Sequence, residues 1–270
     1  MTHDRTERIQ QLNTSNETPQ FGAIIIGDEI LSGRREDAHL KRLIETLKTR
    51  GLQLSRAEYV GDEEDRITEV LRRSMASNDI VFCFGGIGAT PDDRTRQAAA
   101  AAVGLPIERH AGAVAEIEAQ FGEGAYPKRV LMADFPQGAA LIPNPVNRVP
   151  GFSLGTHYFM PGFPQMAWPM TDWILDTHYA HLFHQSDYVE EAILVLDGAE
   201  SQLIDLMNRL TSKYPETRLF SLPKLGPQKS IELGVKGPAA AVTTAMQELR
   251  EGVSAAGFQW LEQNRLGLPS

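Results

Sequence analysis

The sequence predicts a three-layer α/β/α domain built on a mostly parallel sheet, followed by a small α+β domain. Three observations carry that expectation. Phe21–Ile26 and residues 79–84 are short, almost wholly apolar runs closed by glycine, the pattern of strands buried on both faces. Between them lie segments whose apolar residues recur at helical spacing, and strands alternating with helices imply parallel crossovers. Beyond residue 187 the rhythm changes to strand-helix-strand-strand-helix-strand.

Residues 1–19 are polar and aperiodic, and read as a flexible arm. After the first strand, Leu40, Leu43, Ile44 and Leu47 mark a helix that Gly51 stops. A second strand is expected over 55–60. Ile67, Val70, Leu71 and Met75 then line one face of a helix over 64–76. The strand at 79–84 leads through a glycine-rich loop to an alanine-rich helix, Thr95–Val103, ended by Gly104. A further helix is expected over 114–128. Residues 135–152, punctuated by proline and glycine, read as loops joining short strands. Residues 154–160 are expected as one strand, turned by Pro161-Gly162-Phe163-Pro164 into a helix over 165–179. The last part places strands at Tyr188–Leu196, 217–222, 230–235 and 258–261, with helices over 201–210 and 239–256. That is the order of a ferredoxin-like, split βαβ sandwich. The chain thus divides into an arm (1–19), an α/β domain (20–184) and a small domain (185–270).

With 270 residues, 42% hydrophobic and 23% charged, the chain has material for one large core and a smaller companion. A formal net charge of −9, from 35 acids and 26 bases, is the opposite of what a general nucleic-acid binder carries, so no nucleic-acid partner is expected. A small anionic ligand then needs local donors or a metal ion. The single cysteine, Cys83, excludes an intrachain disulfide and any multi-cysteine metal cluster; it sits in an apolar run as a small buried hydrophobe. The polar start and the lack of a bilayer-length apolar segment point to a cytoplasmic protein without membrane contact.

Ligands of open parallel sheets gather beyond the carboxyl ends of the strands. Two turns fall there: Gly27-Asp28-Glu29-Ile30-Leu31-Ser32-Gly33, and Gly85-Gly86-Ile87-Gly88-Ala89-Thr90-Pro91-Asp92-Asp93. In the second, the glycines Gly85, Gly86 and Gly88 leave backbone N–H groups open to an anion, and the loop runs into a helix N-terminus. It is neither a Walker loop nor a full dinucleotide fingerprint. A tight strand-to-helix connection without ligand accounts for the same glycines. Asp92 and Asp93 fit a divalent cation that bridges carboxylate and phosphate. They equally fit a helix start with Thr90 as N-cap and Pro91 first in the helix. Asp28, Glu29 and Asp37 form a second acidic group; if the turns converge, these acids hold a metal or position a water for attack on a phosphoanhydride. Weaker candidates are His178, His181 and His184 as a metal face, Arg94 and Arg96 as anion ligands or surface arginines, and Asn144, Asn147 and Arg148 in a proline-rich loop. The lone cysteine sits in an apolar run, so nucleophilic catalysis has little support.

These two turns, with Asp37 between them and Pro150-Gly151-Phe152 and Pro161-Gly162-Phe163-Pro164 after them, resemble the molybdopterin-binding domain shared by MoaB, MogA and the CinA competence/damage-inducible proteins. The resemblance spans roughly 20–180. The small domain is similar to the KH-type domain that follows in CinA proteins, without a Gly-x-x-Gly loop suited to clamping RNA. The resemblance implies that molybdopterin or a nucleotide is bound at Gly27, at Gly85, Gly86, Ile87, Gly88, Ala89 and Thr90, and at Pro161 and Gly162. It also implies a divalent cation (Mg²⁺ or similar) at Asp92, Asp93 and Asp37, assisted by the catalytic candidates Asp28, Glu29 and Asp93. MogA-like members adenylylate molybdopterin. CinA-type members, and the related domain of FAD synthase, are associated with metal-dependent hydrolysis of ADP-ribose or FAD pyrophosphate. Related domains form dimers or trimers, so a homo-oligomer is expected. Alternatives are a non-catalytic molybdopterin carrier in molybdenum cofactor biosynthesis and a regulatory interaction module. This sequence departs from the family in three places. Phe84 stands where Thr is common, Ala89 stands for Pro, and Asp37-Ala38-His39 replaces Asp-Thr-Asn, which makes His39 a substitute donor or base.

Overall fold

The computed structural model describes residues 19–185, 187–224 and 229–263. All but the last residue of the expected N-terminal arm therefore lies outside the described residues. The chain divides into two compact units between Phe183 and His184.

The first unit begins with β1 (Phe21–Ile26), α1 (Asp28–Leu31), α2 (His39–Lys48), β2 (Leu54–Val60), α3 (Glu64–Ser74), β3 (Ile80–Phe84) and α4 (Thr95–Val103). It continues with β4 (Ile107–Arg109), α5 (Ala111–Phe121), β5 (Asp134–Pro136), β6 (Ala140–Ile142), β7 (Gly151–Leu154), β8 (His157–Met160) and α6 (Pro164–His178). The main sheet has the order β2-β1-β3-β8-β7-β6, with β4 and β5 paired separately. Its first four strands are parallel; β7 and β6 are antiparallel additions.

Alternate residues of the central strands feed two cores, as the two-residue strand period requires. Ile24, Ile26, Val81 and Cys83 pack with Ile67, Leu71, Ala98, Ala99 and Ile117 on one side. Phe21, Ile25, Phe82 and Phe84 pack with Leu43, Leu47, Met170 and Ile174 on the other. Helices cover both faces, which is why β1 and β3 are buried throughout and read as continuous apolar runs. The fold is the mostly parallel three-layer sandwich expected.

The one-turn helix α1 and the short strand β4 were not expected, and two further elements differ from expectation. The helix expected over 114–128 begins at Ala111, because the His110 ring accepts the Ala113 N–H at 3.1 Å and caps it. It stops at Phe121, and Gly122–Ala125 continues as a single 3₁₀ turn. Residues 154–160 form the end of β7, a two-residue turn at Gly155-Thr156, and β8, an antiparallel hairpin rather than one strand.

The second unit contains β9 (Tyr188–Leu196), α7 (Glu200–Lys213), β10 (Arg218–Lys224), β11 (Ser230–Pro238), α8 (Ala239–Ala255) and β12 (Trp260–Glu262). Its antiparallel sheet has the order β10-β11-β9-β12, and its core is its own: Ile193, Val195, Leu203, Leu233, Met246 and Leu249 are fully or almost fully buried. A Gly-x-x-Gly does occur, Gly234-Val235-Lys236-Gly237, but it lies within β11, paired across the ladder, and forms no clamp loop. Among the described residues no helix is long and apolar enough to cross a membrane.

Candidate functional site

The parallel strands β2, β1, β3 and β8 are neighbours, so the loops leaving their carboxyl ends stand in a row. The chain turns from β1 outward to β2 and then crosses back to β3, which makes the gap between β1 and β3 the switch point where such sheets hold ligands. The loops at Gly27 and Gly85 flank that gap. The Gly162 turn joins them, packing against Gly85 so closely that a Cβ on Gly162 would stand 3.4 Å from the Gly85 Cα.

Two of the loop glycines are required by the backbone. Gly85 has φ 107°, and a Cβ there would collide with the Ile26 carbonyl of β1. Gly86 has φ 67°, and a Cβ there would collide with the Thr95 hydroxyl. These contacts also set which way the peptides face. The Gly85 carbonyl accepts the Thr95 hydroxyl at 3.0 Å, the Gly86 carbonyl accepts the Thr95 N–H at 2.9 Å, and the Gly88 carbonyl accepts Arg96 Nη2 at 2.6 Å. In a trans peptide the N–H points opposite to the carbonyl before it. The N–H groups of Gly86, Ile87 and Ala89 therefore turn away from α4. Among the described residues, none of the N–H groups from Gly86 to Ala89 donates to a protein acceptor.

Thr90 and Asp93 close the loop. Asp93 Oδ2 accepts the Thr90 N–H at 2.9 Å and its hydroxyl at 2.5 Å, and the Asp93 N–H returns a bond to the Thr90 carbonyl at 3.0 Å. This is the reciprocal pairing expected of a helix start, yet the helix begins only at Thr95, so Thr90 and Pro91 belong to a turn. The Thr90 hydroxyl also holds the exposed Asp92 carboxyl below its usual range.

The acids at the strand ends do meet, through a residue the sequence reading passed over. Asp62, directly after β2, accepts the Asp28 N–H at 2.9 Å, and the Asp62 N–H donates to Asp28 Oδ1 at 3.2 Å. Burial pushes the Asp62 carboxyl up, and the like charges of Asp28, Glu29 and Asp92 push it further. The signal was present: Val60-Gly61-Asp62 repeats Ile26-Gly27-Asp28 at the next strand end. Asp37 is placed differently. It starts α2, accepting the His39 and Leu40 N–H groups at 2.8 and 3.1 Å and the Tyr59 hydroxyl at 2.8 Å. Among the described residues no group of three or more His, Cys, Asp or Glu side chains stands ready to hold a metal ion. The donor chemistry of two carboxylates, Asp28 and Asp92, suits a hard divalent cation. Mg²⁺ commonly takes one or two carboxylates, completing its shell with water and substrate phosphate.

Two of the departures from the family pattern are in contact. His39 and Phe84 stack with ring centroids 4.4 Å apart and an interplanar angle of 17°. His39 is buried, and its Nε2 lies 3.2 Å from the Gly162 carbonyl, so that nitrogen carries a proton and donates. Burial pulls the imidazole pKa down, opposed by the Gly162 carbonyl and by Asp37. The buried Nδ1 has no partner. Beside it is a cavity of about 30 Å³ lined by Glu29, Arg35, Glu36, Gly162 and Pro164.

The remaining candidates have structural places. Arg96 is no surface arginine but a buried one, whereas Arg94 is exposed and 3.8 Å from Glu64. Asn144 and Asn147 tie their own turn, Asn144 Nδ2 donating to Asn147 Oδ1 at 2.7 Å, and Arg148 pairs with Glu116 at 2.9 Å. His178 packs its ring on Tyr158 and Trp173. Cys83 is buried, its thiol pKa pushed up by desolvation.

A mostly parallel sheet with unpartnered loop amides and meeting acids at its strand ends defines a three-layer α/β protein. Residues 22–181 match the model of a probable molybdopterin binding domain, and the chain belongs to that family. A CinA-like protein of Anaeromyxobacter dehalogenans (strain 2CP-1 / ATCC BAA-258) is 33% identical over 152 residues, 54% of this chain. The match covers 37% of that relative, so the chain corresponds to less than half of its length. A CinA-like protein of Geotalea uraniireducens (strain Rf4) is 26% identical over 236 residues, covering 84% of this chain and 56% of that one. Among solved structures, the protein CinA from Thermoplasma acidophilum, titled as of unknown function, aligns with a TM-score of 0.53 and 28% identity over 58% of this chain and 97% of that one.

Proposed function

We propose that this protein binds the phosphate group of a nucleotide or pterin on the free amides of Gly86–Ala89, and hydrolyses a dinucleotide pyrophosphate of the ADP-ribose or FAD type with a divalent cation. The observation that carries the reading is the set of N–H groups turned away from α4 without protein acceptors. Such a nest offers several donors to one phosphate at no cost of reorganisation. Asp28 and Asp92 are the residues that would hold the ion, which would supply charge neutralisation at the phosphoanhydride. Asp62, fixed beside Asp28 by reciprocal backbone bonds, is the group that would take the proton of an attacking water as the P–O bond to the leaving phosphate breaks. Asp93 shapes the loop through Thr90, and His39 holds the Gly162 turn.

The test is incubation of the purified protein with ADP-ribose or FAD and Mg²⁺, Mn²⁺ or Co²⁺. Release of AMP, with a drop of about a hundredfold or more in Asp62→Asn, supports the reading. Unchanged turnover in that variant removes Asp62 from the chemistry.

A second reading, a molybdopterin binder without turnover, is favoured by the match of residues 22–181 to a probable molybdopterin binding domain. Calorimetric binding of molybdopterin with no product from any nucleotide selects it.

A further inference from the structure

Arg96 lies beneath the anion loop and has no counterpart in that reading. Its guanidinium is 4% exposed and donates to main-chain carbonyls only: Gly88 at 2.6 Å, Asp134 at 3.3 Å, and Leu131. No described carboxylate forms a salt bridge with it, and its Nε has no partner. The two acids that feel its charge are engaged elsewhere. Asp134 pairs with Arg109, and Asp93 takes both Thr90 donors. A buried cation with no direct ion pair, only acids that act on it from a distance, is costly and is retained where something offsets it.

Its bond to Gly88 also has a directional consequence. With the Gly88 carbonyl held toward Arg96, the Ala89 N–H points the opposite way. Ala89, unlike a proline, has an N–H to offer, and it belongs to the peptide that Arg96 orients.

We propose that Arg96 is a positioning residue for phosphate: it aims the Ala89 amide at the ligand and supplies a fixed positive charge beneath the loop, matching the ligand's negative charge. The proposal rests on the reading that phosphate binds the 86–89 amides, and it adds a cation belonging to the chain itself to whatever ion the acids hold.

The test is calorimetric titration of the full chain with ADP-ribose in Mg²⁺ buffer at several salt concentrations. Arg96→Met is expected to weaken binding about tenfold or more and to flatten the dependence of affinity on salt, because one interacting charge is gone. Arg96→Lys keeps the charge and is expected to retain the parent's salt dependence with an intermediate affinity. Ala89→Pro removes one donor and no charge, so affinity falls while salt dependence stays. A salt dependence flattened in Arg96→Met and kept in Arg96→Lys does not follow from a merely structural arginine. Parental affinity and salt dependence in a folded Arg96→Met overturn the proposal. If that variant does not fold, parental affinity in Ala89→Pro overturns it instead. Absence of ADP-ribose binding by the parent would sink the phosphate reading itself and this proposal with it, whereas parental binding with unaffected variants sinks the proposal alone.

Discussion

At the scale of single residues, the candidate site is built from close approaches that leave little room for substitution. Gly85→Ala forces a Cβ against the Ile26 carbonyl at φ 107°, and a backbone atom of a central strand cannot step aside. A loss of about 2–4 kcal/mol is expected, read as a lowered midpoint in urea denaturation; a change under about 0.5 kcal/mol contradicts the geometry. His39→Ala removes both the stack on Phe84 and the donor to the Gly162 carbonyl, with an expected cost of about 2–4 kcal/mol. Restoring an amide in His39→Asn gives back the polar group without the ring. Pairing it with Phe84→Thr in a double-mutant cycle is expected to show coupling, since the two positions touch. Legibility at this scale was uneven. Glycine spacing exposed the loop, but Asp62 was missed because the repeat of Ile26-Gly27-Asp28 in Val60-Gly61-Asp62 gains meaning only once β1 and β2 are known to be neighbours. Arg96 was left open between anion ligand and surface arginine, and its burial went unseen for a related reason. Its partners Leu131 and Asp134 are far away in sequence.

At the scale of elements, the two ends of β8 carry separable properties. Its carboxyl end leads into the Gly162 turn of the site, while its first residue, His157, lies at the other end of the sheet. There Ser74 Oγ is 2.7 Å from His157 Nε2 and takes a bond from Arg56 Nη2, also at 2.7 Å. Burial, with Arg56 nearby, lowers the His157 pKa from 6.5 to about 4. The unfolded chain therefore takes up a proton near pH 6.5 that the folded chain refuses until about pH 4. Stability is fully present above pH 6.5 and falls through this window, by about 3 kcal/mol at its lower end. Urea titrations at pH 7 and pH 4.5 check this: the parent is expected to lose more stability than His157→Gln, and equal losses contradict it. Element placement was the most legible level. Phe21–Ile26, Thr95–Val103 and Tyr188–Leu196 were bounded correctly because glycine or a change of period marks both ends. The β7–β8 hairpin was lost because its two-residue turn interrupts no apolar periodicity that a single strand would not also show.

At the scale of the molecule, the two units hold separate cores, and no residue of the second unit's core belongs to either cluster of the first. Scanning calorimetry is expected to resolve two transitions, and proteolysis to nick near 183–187. A single cooperative transition contradicts that independence. The fold class was open to sequence reasoning because both of its signals, continuous apolar runs and the late change of rhythm, are local. The site's convergence was not, because strand order decides it. The central claim is that phosphate sits on the amides of Gly86, Ile87, Gly88 and Ala89. The most direct measurement is a ¹H–¹⁵N NMR titration of the protein with ADP-ribose in Mg²⁺ buffer. The account predicts the largest saturable shifts at those four N–H groups; saturation that moves other amides and leaves these four in place would contradict it.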